Sequence, residues 1–174
     1  MKLKQFAAAY LFNEDEEVLF LQKKEDASFL SGMLVPVGGH MKEGEMNAPE
    51  SACIREIEEE SGLDNDDYHN LQLRYILYRM KGVEEIRIQY IFFGEMSKES
   101  DLVASEEGEL KWIPYRDIPN EDVTQTNKEI AQHYETTGRF NDHVYVGVMK
   151  SDNGEPGITW ALLEDWELYE GKPF

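Results

Sequence analysis

Residues 39–63 read GHMKEGEMNAPESACIREIEEESGL, and this stretch decides how the rest of the chain is read. Its second half has a helical pattern. Ala52, Cys53, Ile54 and Ile57 supply an apolar face. Pro49 is tolerable in a first turn, because the amide it lacks has no helical partner there. Gly62 is placed to end the helix in a left-handed conformation. Asn47, with Glu50 three residues on, has capping-box spacing. These signals predict a helix over about 48–61, preceded by a polar loop over 40–47.

The charges on that helix are unusual. Glu56 lies three and four residues before Glu59 and Glu60, so the three share a face, while Ile57 turns to the core. Like charges at this spacing cost roughly 0.2–0.5 kcal/mol per pair. They also crowd the last turns, where the helix dipole favours cations. A solvated acidic face is the bland reading of such a run. A hard divalent cation offsets both penalties, since carboxylate oxygens are its preferred ligands.

The glycine loop decides between the two. Gly39, five residues, Glu45, then Arg55, Glu56, Ile57, Glu59, Glu60, Gly62 and Leu63 resemble the Nudix hydrolase signature, G-x5-E-x7-R-E-U-x-E-E-x-G-U with U aliphatic. One departure is plain: nine residues separate Glu45 from Arg55, where the signature has seven. The two extra residues are expected around Met46 and Asn47, before the helix. The flanks also resemble the family, with strands before the box, a hairpin after it, and then Trp112, Pro114 and Ile118 in a W-x-P-x-x-x-I segment.

The resemblance implies a fold and a set of roles. The expected fold is α+β, an α/β/α sandwich with a mixed sheet between helices and a catalytic loop-helix-loop, in one domain over residues 1–174. Glu56, Glu59 and Glu60 carry over as carboxylates for Mg²⁺, with Mn²⁺ as a substitute, and the Gly38 carbonyl commonly completes such a site. Arg55 orients the box carboxylates and does not touch substrate. Glu45 braces the loop or contacts an outer metal, and Gly39 and Gly62 are structural. The general base in this family is a box glutamate or one on a later loop. Glu107, in 105–109, is the first choice, a carboxylate that also serves the metal. Glu106 follows it, and Glu59 is the rival within the box.

Outward from the box, residues 6–12 and 18–22 read as paired strands around the polar NEDEE, and 34–37 as an apolar run that meets Pro36 and then the Gly38–Gly39 pair. A glycine pair marks a tight turn or a close backbone approach. Residues 71–80 and 86–96 read as a hairpin joined through Gly82, 110–113 as a short strand, and 121–137 as a second helix. Residues 143–149 and 158–162 form a terminal hairpin. Lys23, Lys24, Arg74 and Tyr75 are weak candidates for substrate contact. Arg79 and Arg87 could also reach phosphate, although surface charge balance serves equally well. Phe6, Tyr78, Tyr90 and Trp160 can stack on a base or simply fill the sheet core. Cys53 reads as a small buried hydrophobe and His40 as a loop residue.

Composition limits the partners. There are 36 acidic and 17 basic residues, a net charge of −19. That opposes duplex nucleic acid and anionic membranes. It permits a small anionic substrate, because bound cations reverse the charge locally. With one cysteine and no long apolar segment, the expected location is cytoplasmic. The chain is expected to be a monomer or homodimer.

By resemblance, the expected reaction is metal-dependent hydrolysis of a phosphoanhydride in a nucleoside diphosphate-linked substrate. The leading expectation is a nucleoside triphosphate, including an oxidised purine, cleaved to nucleoside monophosphate and pyrophosphate. Nucleotide sugars and dinucleoside polyphosphates are the alternatives, and RNA 5′ ends are disfavoured by the acidity. A non-catalytic nucleotide sensor is the alternative of another class.

Overall fold

A computed structural model describes residues 1–97, 102–103 and 105–165. The strands are β1 (Lys2–Phe12), β2 (Glu17–Lys23), β3 (Leu34–His40), β4 (Tyr68–Lys81), β5 (Glu85–Met96), β6 (Gly108–Pro114), β7 (Val144–Asp152) and β8 (Glu155–Leu163). The helices are α1 (Pro49–Ser61) and α2 (Gln125–Thr136). The strands form one sheet in the order β6-β2-β3-β1-β5-β4-β7-β8. The β1–β5 and β4–β7 pairings are parallel and the others antiparallel, so the sheet is mixed.

The two-residue period of β1 divides the core. Ala7, Ala9 and Leu11 pack with Ala52, Cys53 and Ile57 of α1. Tyr10, flanked by Ala8 and Phe12, packs with Ile130 and Ala131 of α2. The helices therefore cover opposite faces, as the α/β/α reading expects. Gly62 ends α1 at φ 74°, in the left-handed region.

Three local expectations need correction. The glycine pair is not a turn: β3 runs through Pro36, Gly38 and Gly39 to His40. It changes partner on the way, with Leu34–Pro36 on β2 and Val37–His40 on β1. The close approach is real, since a Cβ on Gly38 would lie 2.4 Å from the Ala7 carbonyl oxygen. Asn47 does not cap α1. Ala48 holds that position with no side-chain hydrogen bond, and a 3₁₀ turn at Glu43–Glu45 stands just before it. Helix α2 begins at Gln125 and not near 121, because Thr124 caps it by accepting the Asn127 amide. A 3₁₀ turn at Ile118–Asn120 uses the residues before it.

Candidate active site

Arg55 is the hub of the loop-helix-loop. Its Nε and Nη2 donate to the two oxygens of Glu45 at 2.6 and 2.9 Å. Its Nη1 donates to Glu56 at 2.7 Å and to Glu59 at 2.8 Å, and Nη2 also reaches the His40 carbonyl. Glu45 in turn accepts the Lys42 amide at 2.7 Å. The Arg55 guanidinium and that amide hold the Glu45 carboxyl far below the usual range, at about 2.

Glu56 and Glu60 point inward from α1 and are buried. Burial is the main cause that raises the Glu56 carboxyl above its ordinary value, against the pull of Arg55. Glu60 accepts the Gly38 amide at 2.8 Å. Burial, reinforced by Glu56 and Glu107, still pushes it up to about 7. Gly39 makes room for this arrangement: a Cβ there would meet a Glu56 carboxylate oxygen at 2.6 Å. Glu59 is more exposed. Lys42, at 3.0 Å, and Arg55 hold its carboxyl below the ordinary value.

These carboxylates open onto a cavity of about 650 Å³, a volume suited to a small ligand. It reaches from Gly38, Gly39 and α1 across β1 to β4 and β5, and to the start of α2. Glu107 lines its rim and is paired with Lys23.

Residues 2–134 match the family described as the NUDIX domain. The chain belongs to the Nudix family. Its fold is similar to that of a mutator MutT protein from Bacillus halodurans, with 20% identity, 98% of this chain and 99% of that one covered, and a TM-score of 0.64. It also resembles a MutT protein from Methanosarcina mazei Go1, at 19% identity over 79% of this chain and 96% of that one, with a TM-score of 0.66. A C. elegans Ap4A hydrolase is similar at 17% identity, over 79% and 99% of the two chains, with a TM-score of 0.65.

As a Nudix pyrophosphohydrolase, the protein is an enzyme of a family that generally uses a divalent metal. The donor set fits such an ion in chemistry, because Glu56 and Glu60 offer hard oxygens that lie buried and repel one another. It is not a finished cage. Among the described residues, no three acidic, histidine or cysteine side chains converge as a metal site. Glu59 is turned to Lys42 and Arg55, and Glu107 to Lys23.

Other expected site residues fall elsewhere. Lys23 lines the Nudix cavity, whereas Lys24 is exposed outside it. Glu106 is exposed and does not line it. Arg74 is buried, and its guanidinium donates to the carbonyls of Gly138, Asn141 and His143. It is a structural clamp for the link between α2 and β7. Tyr75 is fully buried among Phe93, Tyr145 and Trp160. Of the aromatic candidates, Phe6 alone lines the cavity, and its ring lies 4.2 Å from that of His40.

The sequence reading missed Lys42 as a partner of Glu59, and Thr126 and Asn127 as cavity residues at the start of α2. No motif marks them, because their positions depend on where α2 begins and how it packs. From sequence alone, Arg79 and Arg87 fit phosphate contact and surface charge balance equally well. Both line the cavity.

Proposed function

We propose that this Nudix enzyme hydrolyses a phosphoanhydride in a nucleoside triphosphate, releasing nucleoside monophosphate and pyrophosphate, with Mg²⁺ held by Glu56, Glu59 and Glu60. The observation that carries this reading is the buried pair Glu56 and Glu60 beside Gly38, opening onto a ligand-sized cavity. A bound divalent ion would neutralise phosphate oxygens and lower the pKa of an attacking water. Arg55 holds Glu56 and Glu59 and Glu45 fixes Arg55, which orders the carboxylate edge of α1 while Glu59 stays bound to Lys42. Lys42 must yield Glu59 when the ion enters, and it is then free to meet a phosphate oxygen. Glu107 is the proposed base. It lines the same cavity and stays accessible to water on its turn, and Lys23 steadies it. Glu59 is the rival base, although two cations occupy it here.

The test incubates the purified chain with Mg²⁺ or Mn²⁺ and a panel of nucleoside triphosphates, nucleotide sugars and dinucleoside polyphosphates, resolving phosphate, pyrophosphate and nucleotide products. Pyrophosphate with nucleoside monophosphate supports the reading. Turnover confined to another class reassigns the substrate, and specific nucleotide binding without turnover identifies a sensor.

A further inference from the structure

The cavity has a second charged end. In the β4–β5 register, Arg79 stands directly opposite Arg87. Like charges opposite one another on neighbouring strands are unfavourable. The Arg87 side chain is buried, and its Nε donates to Glu85 at 2.6 Å. Arg79 has no ion pair among the described residues, and its buried Nε has no hydrogen-bond partner. Lys4, the register partner of Arg87 on β1, shares the same Glu85 at 3.7 Å. Arg87 and Lys4 therefore share one carboxylate beside an Arg79 that pairs with none among the described residues, in a chain whose net charge is −19. The field is felt nearby. His40 is held below its ordinary pKa, first by burial and then by Lys4 and Arg87.

Buried donors without partners are rare and call for an explanation. Balancing these charges with another acid would have been easy in so acidic a chain. Instead, both guanidiniums line the cavity that holds Glu56, Glu59 and Glu60. The carboxylates end against β3, and the arginines rise from β5 and β4, two and three strands away. With strands about 4.8 Å apart, the two ends are separated by on the order of 10 Å, about the length of a nucleoside.

We propose that Arg79 and Arg87 form a seat for a second phosphate, a monoester carried on the substrate remote from the phosphoanhydride that meets Glu56 and Glu60. The local excess of two positive charges matches a phosphate dianion. Planar guanidinium forks suit its oxygens, and Arg79 Nε gains the partner it lacks. A nucleobase edge would offer acceptors but no charge. This inference rests on the Nudix reading of the carboxylate end, and it narrows the substrate from a plain nucleoside triphosphate to a phosphoanhydride that carries a further phosphate monoester.

The test compares two matched pairs: ADP with adenosine 3′-phosphate 5′-diphosphate, and ADP-ribose with its 2′-phosphate. Binding is measured calorimetrically in EDTA, where no metal contributes, for the wild type and for Arg79→Met, Arg79→Lys and Arg87→Met, each checked for folding by circular dichroism. The wild type is expected to bind at least one member with the extra phosphate about tenfold more tightly than its partner. That ratio should fall towards one in Arg79→Met and partly survive in Arg79→Lys. Should Arg87→Met not fold, the Arg79 variants still decide. Three results would overturn the seat: equal wild-type affinities within each pair, no detectable binding of either extra-phosphate compound, or a ratio that persists in Arg79→Met. Hydrolysis of the same compounds with Mg²⁺ is followed separately. Its absence would count against the phosphoanhydride reading and leave the binding ratio to judge the seat.

Discussion

Glu45 and Arg55 meet in a two-pronged ion pair, at 2.6 and 2.9 Å, across a connection two residues longer than the family signature provides. Met46 and Asn47, the expected place of the extra residues, form a turn between the 3₁₀ segment and α1. The contact that sets Arg55 against Glu56 and Glu59 is therefore preserved. Replacing Arg55 by Met should lower kcat by about 10–100-fold, the usual effect of losing a group that orients metal ligands. Arg55→Lys should recover little, since a single ammonium cannot form both prongs. Steady-state kinetics with circular dichroism on each variant checks this, and wild-type kcat in Arg55→Met would refute the orienting role.

The two adjacent glycines should fail in different ways. In Gly38→Ala the new methyl meets the Ala7 backbone, so the cost is stability, on the order of 2 kcal/mol. In Gly39→Ala it meets the Glu56 carboxylate, a movable group, so the fold survives and metal affinity falls. Thermal melts paired with Mn²⁺ titrations separate the two. Equal losses of stability would contradict the assignment.

Much of the fold could be read from the chain. The α1 pattern, the left-handed Gly62 and the β4–β5 hairpin through Gly82 were legible because local propensity and tertiary packing agree there. Strand β3 was not, since Pro36 and two glycines signal a break, and only pairing with β1 and β2 keeps the strand extended. Arg74 shows the same limit in the site. An arginine on a strand gives no sign, from sequence, that its partners will be three carbonyls near residues 138–143.

That clamp gives a stability prediction. Arg74→Met leaves three carbonyls without their charged donor and should destabilise the fold by about 3 kcal/mol, with kcat of the folded protein little changed. Urea melts and kinetics together test it. A specific loss of kcat at unchanged stability would return Arg74 to the substrate.

Glu60 makes stability depend on pH. Its folded pKa, about 7, lies above the ordinary carboxylate value, so folding favours its protonated form. The resulting stabilisation is fully present below its unfolded pKa and is lost as pH rises through about 7, by up to roughly 3 kcal/mol. The melting temperature of metal-free protein should therefore fall over this range, and Glu60→Gln should flatten the trend. A melting temperature equally pH-dependent in both proteins would show that Glu60 is not the source.

On the proposed reading, the α1 carboxylates hold the ion on which phosphoanhydride cleavage depends. The most direct measurement is the initial rate of pyrophosphate release from the best nucleoside triphosphate, as a function of Mg²⁺, for wild type, Glu56→Gln and Glu60→Gln. No turnover is expected in EDTA, saturation with Mg²⁺ in the wild type, and rates at least about 100-fold lower in both variants at any Mg²⁺ concentration. Turnover that persists in EDTA, or wild-type rates in both folded variants, would contradict that reading.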